Sequence, residues 1–141
     1  MHPIALSLTA VGLAALVSGC TSTPAPPLTP GQLTGSTWHV AALNAGGVQT
    51  RQLTIKFVDG GRVVGNAACN DYSVGYTLEG RRLRFGKSVV LTTDRFCDQD
   101  TRETEDRFIA TLGQVRSASL APSGSLVLYT ETSNRIVARP L

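Results

Sequence analysis

The run Leu53-Thr54-Ile55-Lys56-Phe57-Val58-Asp59-Gly60-Gly61-Arg62-Val63-Val64-Gly65 constrains the fold more than any other stretch of the chain. Leu53, Ile55 and Phe57 alternate with their neighbours, so they share one face of an extended segment, and Asp59-Gly60-Gly61 supplies residues that tolerate a tight reversal. A strand that turns at once and resumes pairs antiparallel with its own continuation. The same pattern recurs at Thr37 to Leu43 before Asn44-Ala45-Gly46-Gly47, at Tyr76 and Leu78 before Glu79-Gly80, and at Leu83 and Phe85 after it. It closes with Ser125 to Tyr129 and Arg135 to Arg139 on either side of Thr132-Ser133-Asn134. Roughly eight short strands are expected, in meander order where hairpins are visible.

The period changes once, from Asp100 to Gly113. Asp100 with Glu103 three residues later predicts a capping box, Glu103 stands one turn before Arg107, and Gly113 ends the segment. The apolar stripe of Phe108, Ile109 and Leu112 is expected to cover the open side of a sheet. The expected fold class is mainly β with one α-helix: a small antiparallel sheet curled towards a barrel, in a single domain.

The first residues follow different rules. Ile4 to Val17 carry no charge and are too few to span a bilayer comfortably, which suits a signal-peptide core. The run ends in Val17-Ser18-Gly19-Cys20, which resembles the lipobox of bacterial lipoproteins, although Met1-His2-Pro3 lacks the usual basic residue. Residues 1–19 are therefore expected to be a lipoprotein signal peptide, and Cys20 the lipidated residue. Residues 20–32 form the lipidated cysteine and a tether, with four prolines between Thr21 and Pro30, and 33–141 form the domain. Thr21 after the anchor cysteine, rather than aspartate, implies the outer membrane with the domain in the periplasm.

Removing 19 of 141 residues leaves 122, enough for one modest core. The removed part carries no Asp, Glu, Lys or Arg, so the net charge stays at +3, and the basic residues are scattered. With aromatic residues at only 6%, neither an electrostatic track nor a stacking platform for nucleic acid is expected. The expected partners are the membrane, through the N-terminal lipid anchor, and an unknown envelope protein, and the chain is expected to be a monomer.

Cys69 lies in Gly65-Asn66-Ala67-Ala68-Cys69-Asn70-Asp71-Tyr72 and admits three chemical readings. As a nucleophile it needs a base, and His39 is the one histidine after the leader, on a strand with nothing in the sequence to bring it near. As a zinc ligand it would need Cys97, His39 and a carboxylate such as Asp71, Asp94 or Asp98, and no two of these show ligand-pair spacing. In an exported domain whose Cys20 is acylated, two cysteines remain, and an even count favours a Cys69–Cys97 disulfide. No catalytic residue, metal or cofactor is expected.

Taken in order, Leu33-x-Gly35-x-x-Trp38, Leu53-x-Ile55-x-Phe57-x-Asp59-Gly60-Gly61-Arg62-Val63-x-Gly65-Asn66, Cys69-Asn70, Tyr76, Thr92-Thr93, Cys97, and Glu105 with Phe108 resemble the META domain, the HslJ-like family of bacterial envelope proteins. The resemblance implies a compact β fold of lipocalin-like curl and links to heat-shock induction, novobiocin resistance, and secretion or motility phenotypes. It carries over no catalytic residue. Two departures stand out, since family members usually have glycine before Cys-Asn and methionine near the second cysteine, where this chain has Ala68 and Arg95-Phe96. The resulting expectation is a non-enzymatic envelope lipoprotein with a binding or stress-resistance role. The alternatives are an inhibitor of a protease or lysozyme acting through a loop from Asp94 to Asp100, and a carrier of a small apolar molecule inside the barrel.

Overall fold

The computed structural model describes residue 19, residues 22–50 and residues 52–141. Residues 1–18 of the expected signal peptide and Cys20, the expected site of lipidation, lie outside the described residues. Among the described residues no helix is long and apolar enough to cross a membrane.

After an extended, exposed tether the chain forms α1 (Pro30–Thr34), β1 (Thr37–Leu43), β2 (Gly46–Gly47), β3 (Thr54–Val58), β4 (Arg62–Asn66), β5 (Asp71–Glu79) and β6 (Arg82–Phe85). There follow β7 (Val90–Leu91), α2 (Gln99–Gly113), β8 (Val115–Leu120), β9 (Leu126–Thr130) and β10 (Arg135–Pro140). Among the described residues the strands make one antiparallel sheet in the order β6-β5-β4-β3-β1-β10-β9-β8, with β2 added to β1 and β7 to β5. The two ends of that order meet where the Ala118 N–H donates to the Arg81 carbonyl at 2.9 Å, so the sheet is rolled nearly shut. The mainly β, curled architecture is as expected. Among the described residues it contains ten strands rather than eight, and the short helix α1 as well as α2.

The expected hairpin is β3 with β4, in the register Lys56↔Val64 and Val58↔Arg62, which puts Ile55, Phe57 and Val63 together inside. β1 sits between β3 and β10, joining the two halves of the sheet. Its inward residues are Trp38 and Val40 and then Leu43, a change of phase made by an irregularity between Val40 and Ala42 opposite β10. Trp38 is buried, and its indole N–H finds the Leu33 carbonyl at 2.9 Å, which fixes α1 over the barrel. α1 starts with Pro30 at a position that needs no N–H, and Gln32 Oε1 accepts the Thr29 N–H one turn back.

The interior is occupied by side chains. Phe57 meets Tyr76 edge-on at 5.0 Å and Tyr72 meets Phe108 in the same manner at 5.5 Å, while Leu83, Leu112, Leu126, Leu128 and Ile136 are fully buried around them. α2 turns Glu105, Phe108, Thr111 and Leu112 inward, with Ile109 half-buried at the margin. The backbones of β4 and β3 approach so closely that a Cβ on Gly65 would lie 2.1 Å from the Thr54 carbonyl oxygen. A Gly65→Ala variant should therefore lose about 3 kcal/mol, because backbone rather than a side chain would have to move. Urea denaturation measures it, and a loss below about 1 kcal/mol would show that the strands can separate there.

Candidate functional site

The chain between β4 and β5 makes a sharp corner, and its residues explain the shape. Asn66 Oδ1 accepts the Ala68 N–H at 3.0 Å, and the Ala67 N–H reaches the Asn70 carbonyl at 2.7 Å. Between them Ala68 sits at φ 88°, a conformation in which a Cβ is strained. Glycine would take it freely, which is the physical reason for a glycine before Cys-Asn. Ala68→Gly is expected to stabilise the domain by about 1 kcal/mol in denaturant unfolding, the strain relieved outweighing the added freedom of the unfolded chain, and a loss of stability would contradict this.

Cys69 and Cys97 are bonded, with Cα atoms 6.0 Å apart, closing a separation of 28 residues. The bond pins the segment 92–98 to the corner, and hydrogen bonds hold the rest of that segment. The Thr92 N–H donates to the Asp71 carbonyl at 2.8 Å, and Thr93 Oγ1 accepts the Asp71 N–H and donates to Asn70 Oδ1, each at 3.0 Å. The Arg95 N–H donates to the same Asn70 oxygen at 2.8 Å. On its other side Asn70 faces α2, where its N–H meets Glu105 Oε2 at 2.6 Å and its Nδ2 meets Oε1 at 3.2 Å. Asn70 and Glu105 are both buried, so the carboxylate is held by charge-assisted bonds in place of water.

The ion pair at the rim is forked. Arg95 places Nη2 2.7 Å from Asp71 Oδ2 and Nη1 3.3 Å from Oδ1, and Nη1 also donates to the Cys69 carbonyl at 3.3 Å. The Arg95 guanidinium, helped by the Asn66 amide at 2.9 Å and slightly opposed by burial, holds the Asp71 carboxyl below the usual carboxylate range. A lowered folded-state value stabilises the fold above the unfolded carboxyl value near 4, and that contribution disappears as the pH falls through the lower, folded value. Because the pair is half exposed, Asp71→Asn should cost less than about 1 kcal/mol at pH 7, and the gap from the parent should shrink as the pH falls below about 4. A gap that stays constant from pH 7 to pH 2 would contradict this.

The expected capping box at Asp100 and Glu103 is corrected by the structure. Asp98 is the N-cap, since its carboxylate accepts both the Thr101 N–H at 2.9 Å and the Thr101 hydroxyl at 2.7 Å, and these bonds hold its carboxyl below the ordinary range. Glu103 accepts from Gln99 at 2.8 Å, the residue four positions earlier, rather than engaging Arg107.

Of the residues weighed as chemical groups, Cys69 and Cys97 are joined, Asp71 serves Arg95, and Asp98 caps α2. Asp94 is exposed, and His39 Nε2 lies 3.3 Å from the Thr50 carbonyl oxygen. Among the described residues no group of three or more histidines, cysteines and carboxylates is placed to hold a metal ion. Two features escape a reading by residue type. Glu105 is buried, and its signal was a carboxylate on the same helical face as Phe108 and Leu112. Phe96 is 98% exposed, a lone aromatic inside an otherwise largely polar segment. Beside it lies an open cleft of about 720 Å³ lined by Thr54, Asn66, Cys69, Phe96 and Thr101 among others.

A single antiparallel sheet rolled nearly shut on its own side chains, with a helix packed on it and one stapled corner, makes this a small filled β-barrel domain. The META domain model matches residues 31–140, and the chain belongs to the META domain family. In fold it is similar to the NMR structure of a protein from Burkholderia xenovorans, with a TM-score of 0.64 and 16% identity over 92% of this chain and 99% of that one. It is also similar to the crystal structure of a DUF4847 family protein from Bacteroides vulgatus, with a TM-score of 0.51 and 14% identity over 75% of this chain and 92% of that one. No match was found among the curated proteins.

Proposed function

We propose that this META-domain protein is a bacterial envelope lipoprotein, acylated at Cys20 and held at the outer membrane with its domain in the periplasm. In this reading the domain binds a protein partner rather than catalysing a reaction. One observation carries the binding role. Phe96 stands 98% exposed on a segment that a disulfide and several hydrogen bonds hold still. Water gains nothing from a rigidly displayed phenyl ring, whereas a partner's pocket gains a large apolar area without having to order the segment first. The Ile4 to Val17 run and Cys20 support the anchor, and the filled interior weighs against carriage of an apolar molecule inside the barrel.

A photoreactive phenylalanine analogue at position 96 of the full chain, expressed in a bacterium, should give a discrete protein adduct on irradiation. The same analogue at exposed Arg82 should not. No adduct at position 96, or the same adducts at both sites, would overturn the binding role. Labelled palmitate should enter the parent chain and not Cys20→Ala, and equal labelling of the two would remove the anchor.

A further inference from the structure

The geometry around Phe96 narrows the partner, and the inference rests on the binding role just proposed. Residues 93–97 lie outside any helix or strand, tied to the start of β5 through Thr93 and Arg95, and the segment is clamped on both sides of one peptide bond. On the N-terminal side, the Arg95 N–H is held by Asn70 Oδ1 at 2.8 Å. On the C-terminal side, Cys97 is bonded to Cys69 and is followed at once by Asp98, the cap of α2. The Phe96–Cys97 bond therefore lies between two anchors, with the Phe96 side chain in solvent. A stiff loop that offers a single large aromatic side chain has the shape that the primary specificity pocket of an endopeptidase receives.

Charge and position select further. Asp94, Asp98 and Asp100 are exposed around Phe96, and the cation among them, Arg95, is engaged by Asp71. The segment is acidic, which complements a pocket with a basic rim and opposes an anionic lipid surface. The tether joins the barrel at the other end of β5, where the Leu28 N–H donates to the Gly80 carbonyl at 3.1 Å. The corner adjoins Asp71 at the start of β5, and the nine residues of that strand span about 30 Å, so the loop is displayed far from the tether.

We propose that residues 92–98 form a substrate-like inhibitory loop for a serine endopeptidase with an apolar primary pocket and a basic rim. Phe96 fills the pocket, and the Phe96–Cys97 bond lies across the catalytic serine. Attack by the serine oxygen on the Phe96 carbonyl would break the bond to the Cys97 nitrogen, which takes the serine's proton through the peptidase histidine, and leave an ester at Phe96. In an ordinary substrate the freed amine diffuses away. Here the disulfide keeps the Cys97 amine beside the ester while Asn70 keeps Arg95 in place, so the reverse attack restores the peptide bond and returns the proton. Water reaching the ester instead leaves a Phe96 carboxylate and a Cys97 ammonium, still joined through Cys69.

The test uses the purified full chain in detergent against bovine α-chymotrypsin, whose primary pocket accepts aromatic side chains, with trypsin as comparison. The expected result is competitive inhibition of chymotrypsin. Phe96→Ala should weaken it by at least about thirtyfold, and Phe96→Arg should transfer inhibition to trypsin. Position 96 is in solvent, so both variants keep the fold. Chain cut after Phe96 should accumulate slowly and separate into two pieces only after reduction. No inhibition at about 100 μM, inhibition that Phe96→Ala leaves intact, or rapid consumption of the chain as a substrate would each overturn the proposal. If inhibition fails while the position 96 adduct in cells persists, the peptidase assignment falls alone. If both fail, the binding role falls with it.

Discussion

A chain carrying serine at both Cys69 and Cys97 is expected to be less stable by roughly 3 to 4 kcal/mol, because the closed loop of 28 residues no longer limits the unfolded ensemble. For a domain of this size that corresponds to a melting temperature lower by about 10–20 °C. The double replacement is the proper comparison, since a single one leaves a free thiol next to the corner. Thermal unfolding followed by circular dichroism, with the oxidised parent alongside, gives the number. A loss below about 1 kcal/mol would mean that Asn70, Thr93 and Glu105 hold the corner without help from the bond. Where the bond matters most, limited proteolysis of the variant should begin within residues 92–98, the segment it fastens.

Asn70→Ala is the second large effect, expected at about 2–4 kcal/mol. The side chain accepts from Thr93 Oγ1 and the Arg95 N–H and donates to Glu105 Oε1, so its removal strips three partners from groups inside or at the edge of the core. The largest part is Glu105, a buried carboxylate that would keep only the Asn70 N–H at 2.6 Å. A double-mutant cycle with Glu105→Ala isolates this. The two losses should fall short of additivity by more than about 1 kcal/mol, because each variant removes the other's partner. Simple additivity would mean that the two residues stabilise the fold independently.

The sequence made some of this legible and hid the rest for identifiable reasons. Leu53, Ile55 and Phe57 announce β3 because alternation and a glycine turn both act within a dozen residues, and Phe108 with Leu112 announces α2 for the same local reason. The disulfide is expected from the even count of cysteines left after Cys20, on the reading of the first residues as an export signal. Three features lay beyond local signals. β7 is two residues long and owes its existence to pairing with Tyr72 and Ser73, so Val90 and Leu91 show no period of their own. α1 begins on the last proline of the tether, and its burial of Leu33 is visible only once Trp38 bonds back to it. At the start of α2, Asp98 and Asp100 both have cap chemistry. Thr101 decides for Asp98 by offering an N–H and a hydroxyl to one carboxylate. The corner was legible as a structural element, while its use of Glu105 was not, since a carboxylate on a helix reads as solvent-facing until Asn70 is brought to it.

The route by which the tether enters the domain has a mechanical consequence. A pull on the N-terminal segment first loads the bond from the Leu28 N–H to the Gly80 carbonyl and then passes through α1 into β1, and β1 is fastened along both edges, to β3 and to β10, rather than lying at the margin of the sheet. If a partner grips the loop near Phe96 while the tether is drawn the other way, the load runs along the strands. Rows of hydrogen bonds then have to slide past one another together instead of peeling apart one at a time. The bond from the Ala118 N–H to the Arg81 carbonyl, which joins the two ends of the sheet, lies one residue past Gly80, so the seam of the barrel sits beside the point where the tether first takes hold and feels the pull before β1 does.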